Sequence, residues 1–361
     1  MYKLIRLLSI SSLIFCSITN AGGLYLYEIT DREIGLASAG MAARAQDASV
    51  LAANPAGLAH VSGKSFSGNL IGLYGDAQLD TMTGDAGNII GFVPLASVFY
   101  SQQVNDKWTL GIGLYGNYGL GLEYEGLINN QLDIPTATTQ ALTIQPSASY
   151  RINEKWSLGA ALGIQYGMYE VETKGILNIS DEDQDIQSNG RVGVLYEATA
   201  GTRLGLSYSS ETEFEFDSGN SIAPQQLIFS AYHEVNDDLA VMWNANWQDW
   251  SEYTTTLNVE TQDTYQVAFG TQYQLNEKMT WNAGFAFDTS MYESQSNGDI
   301  TVPTGKAYRI GTGIDYKLDS ENSIGFAFEA VLMESSETTS LQAEFNEPAL
   351  YFASMSYNWK N

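Results

Sequence analysis

The feature that most constrains this chain is a strict two-residue alternation that returns along most of its length. Between Trp108 and Tyr124 the even positions read Trp108, Leu110, Ile112, Leu114, Gly116, Tyr118, Leu120, Leu122 and Tyr124. The odd positions read Thr109, Gly111, Gly113, Tyr115, Asn117, Gly119, Gly121 and Glu123. Successive side chains of a strand point to opposite faces, so this is a strand with one bulky apolar face and one small or polar face. Trp156 to Met168 repeats it, with Leu158, Leu162 and Ile164 set against Gly159, Gly163 and Gln165. A soluble sandwich also alternates, so the orientation of the faces has to be argued. These runs pass the usual strand length of about 5–6 residues. Their polar face carries Gly, Ala, Asn and Gln rather than Lys and Glu, and Trp and Tyr bound the apolar face. Small and polar inside, apolar outside and aromatic at both rims is the pattern of a barrel in a bilayer.

The turns set the strand count. Asn105-Asp106-Lys107-Trp108, Asn153-Glu154-Lys155-Trp156, Asn236-Asp237-Asp238-Leu239 and Asn276-Glu277-Lys278-Met279 are near-copies between alternating runs. Residues 198–203 and 319–323 fill the same role. Six short turns separate seven hairpins, which predicts an all-β, 14-stranded antiparallel transmembrane barrel. Among the expected strands are 139–151, 190–197 and 202–215. Long outer loops are expected near 75–92, 123–138, 171–189, 216–223, 253–261, 290–304 and 335–346. The acidic run Asp181-Glu182-Asp183-Gln184-Asp185 then reads as a solvated loop, with a divalent-cation site as the alternative.

Charge narrows the function. Charged residues make up 16% of the 361, yet 42 acids face 16 bases, for a net charge of −26. That balance excludes a nucleic-acid partner, which needs a basic stripe. Two His (His60, His233) and one Cys (Cys16) leave no zinc cluster and no disulfide, so no metal or other cofactor is expected. They also leave no sign of a catalytic constellation, so the chain is not expected to be an enzyme.

The N-terminus divides in two. Residues 1–21 have Lys3 and Arg6 before an apolar stretch from Leu7 to Ile18 and small residues ending at Ala21, which reads as a secretory signal peptide that takes Cys16 with it. Residues 22–63 lack the alternation and are rich in Ala and Gly. A compact, weakly charged stretch ahead of a barrel (64–361) suggests a plug, or hatch, inside the lumen. Asn54-Pro55-Ala56-Gly57 reads as a turn within it. Arg44 sits in an Ala-rich run and would need a carboxylate, Asp47 or Glu33.

These residues carry a resemblance. Gly40-Met41-Ala42-Ala43-Arg44-Ala45-Gln46-Asp47-Ala48-Ser49 followed by Asn54-Pro55-Ala56-Gly57 resembles the hatch signature of the outer-membrane long-chain fatty acid and hydrophobic compound transporters, the FadL/TodX type. Thr202-Arg203-Leu204-Gly205-Leu206-Ser207-Tyr208 and Trp247-Gln248-Asp249-Trp250-Ser251 are similar to later stretches of that family. The resemblance implies passive uptake of hydrophobic molecules, fatty acids foremost, across the outer membrane of a Gram-negative bacterium. It implies an internal pocket, a shifting plug and a sideways exit beside a kinked third strand. Leu24, Tyr25, Leu26 and Tyr27 would bind ligand. Arg44, Asp47, Asn54 and Pro55 would anchor the plug, and Gly116, Gly119 and Gly121 would form the lateral gate. Partners would be hydrophobic small molecules, outer-membrane lipid and lipopolysaccharide, with the barrel a monomer. The alternative is a general porin or structural surface barrel. The family's long fourth outer loop is missing, since 216–223 is short, and the third loop is acidic, which speaks against a surface capture groove for anions.

Overall fold

The computed structural model describes residues 24–82, 84–124, 127–129, 132–175, 179–217, 219–253, 259–294, 296, 298–338 and 342–361. The expected signal peptide, with Gly22 and Gly23, lies outside the described residues. Fourteen antiparallel strands close into one barrel, as the alternation predicts. They are β1 (Lys64–Asp76), β2 (Gly91–Gln103), β3 (Trp108–Glu123), β4 (Leu132–Arg151), β5 (Trp156–Gly175), β6 (Ile179–Thr199), β7 (Thr202–Ser209), β8 (Gln226–Glu234), β9 (Leu239–Gln248), β10 (Thr264–Asn276), β11 (Met279–Asp288), β12 (Ala307–Lys317), β13 (Asn322–Met333) and β14 (Ala349–Lys360). Each pairs with its sequence neighbours, and β14 pairs with β1 to complete the ring.

The faces point as composition requires. On β3, Leu110 and Ile112 are 49% and 47% exposed, whereas Thr109 and Tyr115 are 3% and 2% exposed. The exposed apolar face meets lipid, and the small and polar face meets the lumen. Aromatic pairs mark the rim next to the short turns: Trp108 with Tyr150 at 4.8 Å and Trp156 with Tyr196 at 4.4 Å between ring centres. The near-identical turns share one device. The side-chain oxygens of Asn105, Asn153, Asn236 and Asn276 each accept the backbone N–H groups two and three residues on. Asp319 does the same for Glu321 and Asn322. The short-turn rim is the periplasmic one in such barrels.

The outer rim departs from expectation in three places. Strand β4 starts at Leu132, inside the loop expected near 123–138. Most of 171–189 is strand as well: the acidic run lies on β6, with Glu182 opposite Glu170 and Asp183 opposite Tyr169. Above the bilayer both faces of a strand meet water, so charge is tolerated and the apolar period fades. Among the described residues no group of His, Cys, Asp or Glu is arranged to hold a metal ion. Asp185 and Asp183 instead accept the backbone N–H groups of Glu215 and Asp217, at 2.9 and 2.7 Å. Third, the strand expected over 202–215 ends at Ser209. The chain then forms a separate hairpin, Thr212–Phe216 paired with Gly219–Ala223, which turns Phe214 and Phe216 inward.

Residues 24–62 lie within the barrel. They form α1 (Asp31–Gly35), α2 (Val50–Ala53) and a 3₁₀ helix (Pro55–His60), all packed on lumenal faces of strands. The predicted turn at Asn54-Pro55-Ala56-Gly57 is the start of that 3₁₀ helix, where the Asn54 side chain accepts the Ala56 N–H at 3.0 Å and Pro55 supplies a preset φ. Two glycines of the wall are dictated by this packing. A Cβ at Gly284 would collide with the backbone of Leu36, and one at Gly159 with the Pro55–Ala56 peptide. Leu36, Leu51, Leu58 and Val61 form an apolar core with Phe99 and Tyr115 of the wall.

Candidate functional site

The arginines show how this inner segment is held. Beyond the undescribed N-terminus the chain has six, Arg32, Arg44, Arg151, Arg191, Arg203 and Arg309, and every one of them bonds inside the barrel. From the wall, Arg151 donates to the Ala59 carbonyl and Arg191 to that of Ala53, at 3.2 Å in the second case. Arg203 donates to the carbonyls of Ala43 and Arg44 at 3.0 and 2.7 Å. These guanidiniums satisfy carbonyls that a short helix or turn leaves open. Arg309 pairs with Glu28 of the inner segment and Asp288 of β11, with a Glu329 oxygen 3.9 Å away. Arg32 pairs with Asp47 and, at 2.9 Å, with Asp315 of β12.

The proposed anchors fall as follows. Arg44 reaches Glu33 at 2.6 Å and the Ala39 carbonyl at 3.0 Å. Asp47 binds Arg32 rather than Arg44, and accepts the N–H and O–H of Ser49 at 2.8 and 2.6 Å. Burial pushes the Asp47 carboxyl up, but Arg32 and the Ser49 donors outweigh it and hold the group below the ordinary carboxylate range. Asn54 donates to the Ala42 carbonyl at 2.8 Å and to Val194 of β6 at 3.1 Å, which ties the segment to the wall. Pro55 backs onto Gly159.

The wall itself has a gap. Strand β3 carries one extra residue opposite β4: Gly116 faces Leu142 and Tyr118 faces Ala141, with Asn117 bulged between them. The bulge reverses the alternation. Tyr118, Leu122 and Tyr124, which continue the lipid-facing series in the sequence, are instead buried inward. Gly119 has φ +107°, and a Cβ there would strike the Thr139 carbonyl, so only glycine fits. Gly121 lies two residues further on, opposite Thr138. From the bulge β3 leaves β2. Their ladder ends at Val98 opposite Leu114, so Gly91–Ser97 of β2 have no partner strand on that side among the described residues. About 20 Å of strand edge is therefore open within the wall. Above it the Glu123 N–H meets the Ile89 carbonyl at 2.9 Å.

Leu24–Tyr27 lie at this gap. The Leu26 N–H donates to the Asn117 carbonyl and the Leu24 carbonyl accepts the Gly119 N–H, both at 2.9 Å. Tyr25 bridges Tyr118, and its hydroxyl accepts from the Asn117 side chain at 2.7 Å. Leu26, like Val93 and Leu95 of β2, packs against the buried cluster of Ile34, Ile71, Leu73 and Phe352. Tyr27 accepts from Asn246 at 2.9 Å and lies beside Arg309.

Above Leu24 lies an apolar cluster in the outer half of the lumen. It contains Leu24, Tyr118, Phe214, Phe216, Trp250, Met291, Tyr292 and Val302, with Tyr169 and Tyr253 against it. At its floor is a cavity of about 20 Å³ lined by Tyr25, Tyr118, Thr212, Arg191, Gln165 and Gln226, among others. Arg191 forms no ion pair among the described residues; its partners are the Ala53 carbonyl and, at 3.5 Å, Gln226. The Thr212 hydroxyl, the Gln226 amide nitrogen and the Gln165 amide oxygen are buried there without a hydrogen-bond partner. Sequence reading missed Arg191. Its odd parity on a strand whose even positions face lipid marks it as lumenal, but nothing in the sequence gives its neighbours.

A closed 14-stranded barrel with a lipid-facing apolar belt and a filled lumen defines a bacterial outer-membrane β-barrel protein. Residues 12–226 and 222–357 match the family described as outer membrane protein transport protein (OMPP1/FadL/TodX), and the chain belongs to that family. It is 25% identical to outer membrane protein P1 of Haemophilus influenzae, covering 89% of each chain. It is 23% identical to a long-chain fatty acid transport protein of Salmonella typhi, covering 84% of this chain and 86% of that one. Among solved structures it is similar to a Pseudomonas aeruginosa FadL homologue, with a TM-score of 0.79 and 16% identity over 94% of this chain and 100% of that one. It is also similar to the Pseudomonas putida toluene transporter TodX, with a TM-score of 0.74 and 17% identity over 94% of this chain and 99% of that one.

Proposed function

We propose that this protein carries long apolar molecules bearing a carboxylate, long-chain fatty acids above all, passively across the outer membrane. The tail takes the place of side-chain contacts in the cluster around Phe214, Phe216 and Tyr118, and the carboxylate meets Arg191. Leu24–Tyr27 then shift, and the ligand leaves sideways between β2 and β3 into hydrocarbon, where an apolar chain is stable. Gly119, beside the bulge at Asn117, sets that opening. No catalytic step is invoked.

The observation that carries this reading is the Arg191 cavity. A buried guanidinium without a carboxylate, beside the unpartnered Thr212 hydroxyl and Gln226 amide, is a donor set looking for an acceptor. A ligand carboxylate supplies it, and a hydrocarbon does not. Named relatives include both fatty acid and toluene transporters, so the head group is the point to test.

Replacing Arg191 by Gln separates the two. In vesicles with a lipopolysaccharide outer leaflet, the unaltered protein should deliver oleate faster than methyl oleate. The variant should lose that preference, its oleate rate falling about tenfold or more while methyl oleate changes little. Equal handling of oleate and methyl oleate by the unaltered protein, with faster delivery of toluene, would favour the hydrocarbon reading. A steady ion conductance of the unaltered protein in a planar bilayer would favour a porin.

A further inference from the structure

We propose that ligand gains access to the barrel beneath the hairpin Thr212–Phe216/Gly219–Ala223, and that Asp183 and Asp185 of β6 are the positioning residues that hold this inlet shut. The proposal rests on the uptake reading above and names the element that controls it.

The hairpin is the roof of the apolar cluster. Its five-residue strands pair only with each other and are not part of the barrel's ladder. It alternates sharply. Thr212, Phe214 and Phe216 are buried, while Glu213, Glu215 and Asp217 are exposed. Phe214 stacks on Tyr118 with ring centres 6.2 Å apart, and Phe216 on Tyr169 at 5.4 Å. Thr212 and Ala223, at the hairpin's base, line the cavity that holds Arg191. Lifting the hairpin therefore exposes the apolar cluster and opens the way to the head-group site in one movement.

Beyond the burial of Phe214 and Phe216, its polar attachments are few. A two-stranded hairpin is marginal by itself in water, so its position depends on its attachments. Along one strand these are the two carboxylates: Asp185 accepts the Glu215 N–H at 2.9 Å and Asp183 the Asp217 N–H at 2.7 Å. Along the other, the Tyr118 hydroxyl lies 2.9 Å from the Ser221 hydroxyl and 3.2 Å from the Ile222 carbonyl, to which it donates. The neighbouring roof is built differently. Gln78–Thr81, Gly84–Asn88, Ser336–Thr338 and Ala343–Phe345 form a continuous four-stranded sheet, so the first and last outer loops brace each other. The hairpin next to β6 has no such brace among the described residues.

Tyr118 makes the inlet and the exit one system. Its hydroxyl holds the hairpin, and its backbone bridges Tyr25 of the inner segment at the β2–β3 gap. A ligand that displaces Phe214 from the Tyr118 ring loosens the residue that also holds the N-terminal segment in place. The acidic run on β6 thereby acquires a role: charged oxygens are strong acceptors for backbone N–H groups, and water at the rim competes for them readily.

The chain suits a disulfide test because its single cysteine, Cys16, precedes the described residues. An ideal Cβ on Gly167 lies 3.1 Å from the Phe214 Cγ, which puts the two Cβ atoms about 4 Å apart, within disulfide range. The Gly167→Cys/Phe214→Cys variant should deliver oleate at least about tenfold more slowly when oxidised than when reduced, in one and the same preparation. Equal rates in the two states would overturn the inlet. Failure of the unaltered protein to deliver oleate at all would instead retire the uptake reading. A second variant tests the latch without any uptake. In a Phe214→Cys background, Asp183→Ala/Asp185→Ala should raise the rate of labelling by a membrane-impermeant thiol reagent about a hundredfold, since two charge-assisted bonds are lost from the closed state. Unchanged labelling would overturn the role of the two aspartates.

Discussion

Replacing Arg309 by leucine should release the inner segment and turn a closed barrel into an ion-conducting one. Arg309 is the cation shared by Glu28, Asp288 and Glu329. Glu28 and Glu329 are 1% and 0% exposed, and neither Glu329 oxygen has a hydrogen-bond partner. Removing one partner of a buried ion pair costs about 3–5 kcal/mol, because the charges left behind stay uncompensated. Asp288 and Glu329 are fixed on strands with complete backbone ladders. Glu28 is not, so the strain is relieved by moving the inner segment out. Planar-bilayer recordings should show little steady current for the unaltered protein and a large one for Arg309→Leu, with the barrel still folded. Arg309→Lys should fall between, since an ammonium keeps the charge but not the planar fork. A silent Arg309→Leu barrel would mean that the carbonyl bonds from Arg151, Arg191 and Arg203 suffice alone.

Deleting Asn117 should close the wall and abolish lateral delivery while stabilising the barrel. Asn117 is the one residue that puts β3 out of register with β4 and sends its outer half away from β2. Without it Tyr118 and Leu120 return to the lipid face and the backbone groups of Gly91–Ser97 gain a partner strand. Each backbone hydrogen bond contributes about 0.5–1.5 kcal/mol net, so several of them should raise the urea midpoint for unfolding clearly. Oleate delivery should fall to the protein-free background. Retained delivery by a more stable barrel would place the exit elsewhere.

Why the alternation yields the barrel but not its gap, which only the family resemblance implied through Gly116, Gly119 and Gly121, follows from these residues. The alternation is legible because lipid and lumen impose opposite chemistry on neighbouring positions, as at Leu110 and Thr109. It misleads at Tyr118, Leu122 and Tyr124 because the lumen there is itself apolar, so either face accepts the same residues. A bulge is one residue among seventeen that otherwise keep strict period, and nothing in Asn117 marks it. The acidic run on β6 misleads in the opposite sense. In water a strand needs no apolar face, so Asp181–Asp185 reads as loop. The inner segment is legible in its small residues, and Arg44's need for a carboxylate is correctly anticipated. That Glu33 meets it, while Asp47 goes to Arg32, depends on a fold of the chain that spacing does not encode. Arg191, Arg203 and Arg309 can be assigned to the lumen by parity, yet their acceptors are carbonyls and carboxylates brought to them only in three dimensions.

On the proposed route the ligand leaves through the wall rather than along the barrel axis. Timing oleate separates the two routes in vesicles that have a lipopolysaccharide outer leaflet, a membrane-embedded fluorescence quencher and a fatty-acid reporter trapped inside. The signal from the hydrocarbon should rise first, require the protein, and be lost when Asn117 is deleted. A trapped reporter that responds before the membrane signal, undiminished by that deletion, would contradict it.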